Sequence, residues 1–288
     1  MIKFYFLIFV LLLSSCGLSN NTRHSAKQSL RKRLAKARSG TLAQDEKTFW
    51  DDYDAILKAS AEAAYLKNSG QVFYISYINY KKLSSKKSFH KIIKSQLSKL
   101  AKTQIPTQTQ SQIAFWINTY NFLVISEIVN NYPIKTNKAI RFKSKKHLIA
   151  GNHYSLDEIY KILLGYKDPR ILLTVNSGRV AGPSIKLKSF SSAGLITELE
   201  RQVKNDLMNP TIASLEKNIF NEAQLNLSDL FEAFDDKDFT SIKLEDFLKA
   251  NLPNHLKDFR KIKISKSVYT GINSKRETMK LIRILESM

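Results

Sequence analysis

Among the 288 residues there is a single cysteine, Cys16. One cysteine cannot form an intramolecular disulfide or a multi-thiolate metal site, so stability must come from packing. Glycine is scarce, at nine residues, and no Gly-rich phosphate loop, G-x-S-x-G elbow or H-E-x-x-H pair occurs. His24, His90, His147, His153 and His255 are never spaced as a metal pair on one helix. His147 and His153 are expected at the surface, flanking a hairpin turn. The acidic stretch 232–238 fails as a calcium loop: begun at Asp236, it puts Ser241 where Gly is needed and Phe247 where a bidentate Glu belongs. No metal and no cofactor is expected. Acidic residues are also in deficit, 25 against 46 Lys and Arg, for a net charge of +21. Such a surface favours anionic partners. No nucleic-acid motif accompanies it, so nucleic acid is not expected.

No apolar run reaches the roughly 20 residues needed to span a bilayer as a helix. The run from Phe4 to Leu13, preceded by Lys3, is about half that and suits the apolar region of an export signal. Leu13-Ser14-Ser15-Cys16-Gly17 follows. It resembles the lipobox of bacterial lipoproteins, which implies cleavage after residue 15 and lipid attachment at Cys16. Each buried methylene of such a lipid contributes about 0.8 kcal/mol to membrane binding. Gly17 rather than Asp after the cysteine implies, by analogy with Gram-negative lipoproteins, an outer-membrane anchor facing the periplasm.

Three segments are expected: a signal peptide over 1–15, a lipid-anchored basic linker over 16–43, and one domain over 44–288. The linker carries Arg23, Lys27, Arg31, Lys32, Arg33, Lys36 and Arg38 with too few apolar residues for a core helix. In the domain, apolar spacing predicts a helix over 45–68, stopped by Gly70. A short extended entry at 72–74 and a helix over about 76–101 follow. Residues 109–132 predict a helix that is apolar nearly all round, with Ile113, Trp116, Ile117, Tyr120, Val124 and Ile128 on one stripe, and therefore buried. Asn118 and Asn121 lie one turn apart within it. Buried amides need partners, so these two bind backbone or line a cavity.

Further on, 147–154 reads as a hairpin turning at Gly151-Asn152. Ser155 with Glu158 is a capping box for a helix to about Leu164. Ile171–Val175 is an apolar run suited to a buried strand, leading into the loop Asn176–Pro183. A helix over 191–208, a hairpin over 213–227, helices near 228–235 and 243–250, a strand near 261–265 and a terminal helix capped by Ser274 complete the pattern. The fold class is α+β: a helix-dominated single domain with a small sheet and short hairpins.

Several segments carry a family resemblance. Ala114-Phe-Trp-Ile-Asn-Thr-Tyr-Asn121 is similar to the "AFWINAYNA" run of the bacterial and eukaryotic family known as domain of unknown function 547. Asn131–Lys135, Gly151 with Tyr154–Ile159, Asp168-Pro169-Arg170 and Leu227–Phe231 resemble further segments in order, over roughly 72–250. The departures bear on chemistry. Where the family shows a "CASxxCP"-like run, this chain has Ser177 and Gly182 in place of the cysteines. Its "IEH" stands here as Ile159-Tyr160-Lys161, and its "RIH" as Arg170-Ile171-Leu172. The resemblance thus implies a scaffold that lacks the family's thiols and histidines.

Three readings follow. The first is a non-catalytic envelope lipoprotein that binds an anionic lipid, an envelope polymer or a protein, with Asn118, Tyr120, Asn121, Asn176, Ser177 and Arg179 as candidate pocket or recognition residues. The second is a hydrolase or transferase using Ser177, which needs a base within hydrogen-bonding reach. The third is a purely structural envelope protein held to anionic polymer by charge alone.

Overall fold

The computed structural model describes residues 46–134, 143–217, 219–266 and 271–287. The signal segment, Cys16 and the basic stretch to residue 43 lie outside the described residues. The architecture is α+β with helices dominant, as the patterning predicts. It opens with α1 (Glu46–Phe49), α2 (Asp51–Ser60), the hairpin β1 (Ala61–Asn68) and β2 (Gln71–Ile78), then α3 (Tyr80–Ser85) and α4 (Lys87–Lys102).

The predicted long helix over 45–68 is therefore only half helix. Its second half is a strand paired residue for residue with β2. Ser69 and Gly70 both adopt positive φ, 47° and 80°, the geometry of a tight two-residue hairpin turn. Gly70 stops no helix; it is half of that turn. Ala-Glu-Ala-Ala has no strong strand preference of its own. Its partner does: β2 is rich in Val, Ile, Phe and Tyr and supplies the ladder, so pairing overrides local propensity. The expected helix start at 76 fails for the same reason, because β2 runs to Ile78.

Helix α5 (Thr109–Asn130) is the axis of the main core. Every residue from Gln112 to Val129 is buried, polar ones included. A helix apolar on all sides must be surrounded. Here α2, α3, α4 and the later helix Leu156–Leu164 supply the cover. Trp116 packs edge-on against Tyr154 at 5.3 Å between ring centroids, and Tyr53 against Phe122 at 5.8 Å. Each fully buried side chain of this size contributes about 1.5–3 kcal/mol.

The hairpin β3 (Lys146–Ile149) and β4 (Asn152–Ser155) turns at Ala150-Gly151, one residue before the expected position. The reason is an anchor: the N–H groups of Ala150 and Gly151 donate to the carbonyls of Leu100 and Ala101 at the end of α4. Those carbonyls have no intrahelical donor. Helix α6 (Leu156–Leu164) opens on the predicted capping box, with Ser155 and Glu158 exchanging both bonds.

The strand expected at Ile171–Val175 is instead a 3-10 helix, Pro169–Leu173. Asp168 accepts from Arg170 N at 3.0 Å, and Pro169 occupies the first turn. Asp followed by Pro is a helix-opening signal, and it outweighs the apolar run. Helix α7 (Leu195–Leu207) follows. A three-stranded sheet of β5 (Ala213–Lys217), β6 (Ala223–Ser228) and β7 (Lys261–Ser265) comes next, with a 3-10 turn at Asp229–Asp235 and α8 (Leu244–Asn251) between β6 and β7. Helix α9 (Lys275–Glu286) packs near the β1–β2 hairpin. Among the described residues, no helix is long and apolar enough to cross a membrane.

Candidate functional site

The loop 174–184 lies against α5, and two asparagines hold it there. Asn121 Nδ2 donates to the Thr174 carbonyl at 2.8 Å, and its Oδ1 accepts from Asn176 N at 2.9 Å. Asn176 then donates to the Pro183 carbonyl and accepts from Gly178 N at 2.7 Å. Both amides are buried and spent on backbone. Gly178, at φ +80°, sits so close to α5 that a Cβ there would meet Ile128 Cδ1 at 2.7 Å. On its other side the loop joins residues 271–273: Val180 N donates to Gly271 O, and Asn273 N to Gly178 O. Asn118 works elsewhere, clamping both backbone groups of Phe190 at 2.8–2.9 Å.

What this frame presents outward is Ser177 and Arg179, both half-buried. The one hydrogen-bond partner of Ser177 Oγ among the described residues is Arg179 Nε, at 3.5 Å. The same guanidinium reaches Asp229 Oδ2 at 3.4 Å through Nη1 and Nη2. Tyr120 and Tyr160 lie beside this pair, their rings 6.4 Å apart, with Arg179 acting on the first and Asp229 on the second. Burial, with Tyr160 and Asp157 adding to it, holds the Tyr120 hydroxyl well above its ordinary range. Burial and Asp229 push the Tyr160 hydroxyl up to about 12. Neither phenol is poised to give up its proton near neutrality. A guanidinium cannot accept a proton either. Among the described residues, the hydroxyl of Ser177 thus has a donor beside it and no base within hydrogen-bonding distance.

Of the other positions that depart from the resembling segments, Tyr160 alone brings a side chain beside this site. Leu172 is buried in the 3-10 helix and Lys161 is exposed on α6. Gly182 closes a turn on the Arg179 carbonyl at 3.1 Å. The structure therefore brings Tyr120, Asn121, Asn176, Ser177 and Arg179 together, and leaves Asn118 apart from them. It adds Tyr160, which the sequence marks only as a departure from the family resemblance, and Asp229, which carried no signal of its own.

Two further polar clusters are buried. His147, expected at the surface, is 8% exposed, because β3 turns it inward while His153 faces out. Its Nε2 lies 3.9 Å from Glu127 Oε1, and Lys145 Nζ lies 2.6 Å from the same oxygen. Burial, with Lys145 adding to it, lowers the imidazole pKa, against the pull of Glu127. The second cluster centres on Asp206 of α7, fully buried among Ser184, Gln202 and Asn205. Among the described residues, no group of three or more His, Cys, Asp or Glu side chains is arranged to hold a metal ion.

Residues 104–205 match the family model described as "Protein of unknown function, DUF547". The match runs from the approach to α5 through to α7 and so contains α5 and the loop 174–184, but not Asp229 or residues 271–273, a narrower span than the resembling segments suggested. No curated protein and no solved structure matches this chain.

Proposed function

We propose that this chain is a lipid-anchored protein of the bacterial cell envelope whose domain binds an anionic partner and does not use Ser177 as a nucleophile. One observation carries the non-catalytic part: among the described residues, the Ser177 hydroxyl is met at 3.5 Å by a guanidinium and by no proton acceptor. A serine without a base stays protonated and weakly nucleophilic. The side-chain amides of Asn121 and Asn176 are consumed by the loop's own backbone and are not available to polarise a substrate. Support for the anchor comes from the lipobox resemblance at Leu13–Gly17, and for an anionic partner from the net charge of +21. The outer membrane, facing the periplasm, is the proposed location.

Two measurements on the full chain test this. Cells fed labelled palmitate are expected to label the protein, and Cys16→Ser is expected to abolish the label and release the protein from the membrane fraction. A fluorophosphonate probe is expected to leave folded protein unlabelled. Stoichiometric labelling that disappears in Ser177→Ala would overturn the non-catalytic reading and revive a hydrolase or transferase.

A further inference from the structure

A groove of about 260 Å³ lies between the β1–β2 hairpin, residues 186–188 and α7. Its floor adjoins the Asp206 cluster, since Gln202 both lines the groove and donates to Asp206, while none of the candidate residues of the loop 174–184 lines it. Tyr65 and Tyr74 form one wall. They are cross-strand partners, with ring centroids 6.2 Å apart and planes inclined at 55°. Tyr65 is 71% exposed. A large aromatic left in water beside a concavity is the kind of surface that contacts a ligand.

The opposite wall is basic. Lys186, Lys188 and Arg201 face a single acid, Glu198. Lys186 is already engaged, 2.7 Å from Glu198 and donating to the Ser189 carbonyl at 2.9 Å. Lys188 and Arg201 are exposed, and neither forms an ion pair among the described residues. Two uncommitted cations therefore flank a pair of phenols.

The wall is also held in place. Tyr74 N donates to Asn205 Oδ1 at 2.8 Å, and its carbonyl accepts from Asn205 Nδ2 and Ser184 Oγ, each at 3.0 Å. A preformed site avoids ordering costs on binding.

From this geometry we infer that the groove binds a saccharide unit bearing a carboxylate or phosphate, one residue of an acidic envelope glycan. This deepens the anionic-partner reading and rests on it. The cavity is slightly below the range of drug-sized pockets and suits one ring with its substituent. Two rings inclined at 55° make a V rather than a slot. A flat base cannot stack on both faces, whereas a puckered sugar ring can lay C–H groups on each and hydroxyls on the phenol oxygens. Arg201 supplies a planar fork for the acidic substituent and Lys188 a mobile charge. Because Leu187, Lys188 and Arg201 are exposed, the rest of a polymer can leave the groove on the solvent side.

Equilibrium binding to the full chain in nonionic detergent tests the inference with four probes. These are an oligogalacturonate, a neutral maltooligosaccharide, polyphosphate and a thymidine oligonucleotide. The acidic sugar is expected to bind and the neutral one not. Arg201→Glu with Lys188→Glu, and separately Tyr65→Ala, should each weaken the acidic sugar by about tenfold or more. Lys91→Glu on α4, which does not line the groove, should by contrast change it less than about twofold. These substitutions are at exposed positions, and circular dichroism checks that the fold is kept. Binding of the acidic sugar that ignores Tyr65→Ala, or polyphosphate binding of equal strength, would reduce the groove to a patch of charge and overturn the inference. Tighter binding of the oligonucleotide with the same residue dependence would overturn the ligand class. No binding by any probe, with lipid labelling intact and Ser177 inert, would sink the groove alone and leave the envelope reading standing.

Discussion

Asp206 offers a quantitative test of the packing between α7 and loop 184–190. Its carboxyl is completely buried, and burial pushes its pKa from 3.8 up to about 7, even though Gln202, Asn205 and Ser184 all donate to it. The folded protein therefore keeps a proton on Asp206 at pH values where the unfolded chain has lost it. Stability changes with pH as the protons bound in the unfolded state minus those bound in the native state. Here that difference is negative, so this residue's contribution falls as pH rises through the window from about pH 4 to about pH 7 and is flat above it. Roughly three units at about 1.4 kcal/mol each give a swing of about 4 kcal/mol, an upper figure for a group that can draw in water when it ionises. Urea unfolding of the parent and Asp206→Asn across that window isolates the effect. The amide alters the hydrogen bonds by an amount independent of pH, so the difference between the two proteins reads only the proton. The parent is expected to lose stability relative to the variant by about 1 kcal/mol per pH unit until neutrality. A difference that stays level, or that moves in the parent's favour with rising pH, would show that the donors hold an anion and refute the reasoning.

Other perturbations address the loop frame and its neighbours. Asn121→Ala strands the Thr174 carbonyl and the Asn176 N–H in the interior, and a loss of about 2–5 kcal/mol in chemical denaturation is expected. Gly178→Ala combines a positive φ with a 2.7 Å approach to Ile128. It should lower stability by about 2 kcal/mol or more, and Ile128→Val in the same chain should recover only part of the melting temperature, because the backbone strain remains. Ser155→Ala removes one half of the α6 capping box and is expected to cost about 1 kcal/mol, visible in the urea midpoint.

Much of the helical frame is legible in local sequence. Helix α5 reads correctly because its apolar residues cover every side, and only burial tolerates that. Ser155 and Glu158 declare the start of α6, and Ser274 that of α9, because a cap is a bond between residues three apart. The strand β1 is not legible, since its alanines suit a helix and only pairing with β2 settles the matter. The 3-10 turn at Pro169–Leu173 could have been read from Asp168-Pro169, a signal masked by the apolar run behind it. For the candidate site, family resemblance located the loop but not its wiring. Asn121 and Asn176 are 55 residues apart, and nothing in the spacing announces that one amide caps the other's backbone. Likewise Tyr65, Lys188 and Arg201 meet in one groove from three distant segments.

The sequence by itself determined the class of fold, the burial of α5, the capped helix starts and the excess of positive charge, because periodicity, capping and charge act between near neighbours or require none. Tertiary structure alone decided that 61–68 is a strand, that His147 and Asp206 lie inside, and that Ser177 faces a guanidinium. Each of those outcomes depends on a partner brought from far along the chain, whose desolvation and hydrogen bonding exist only once the core has closed.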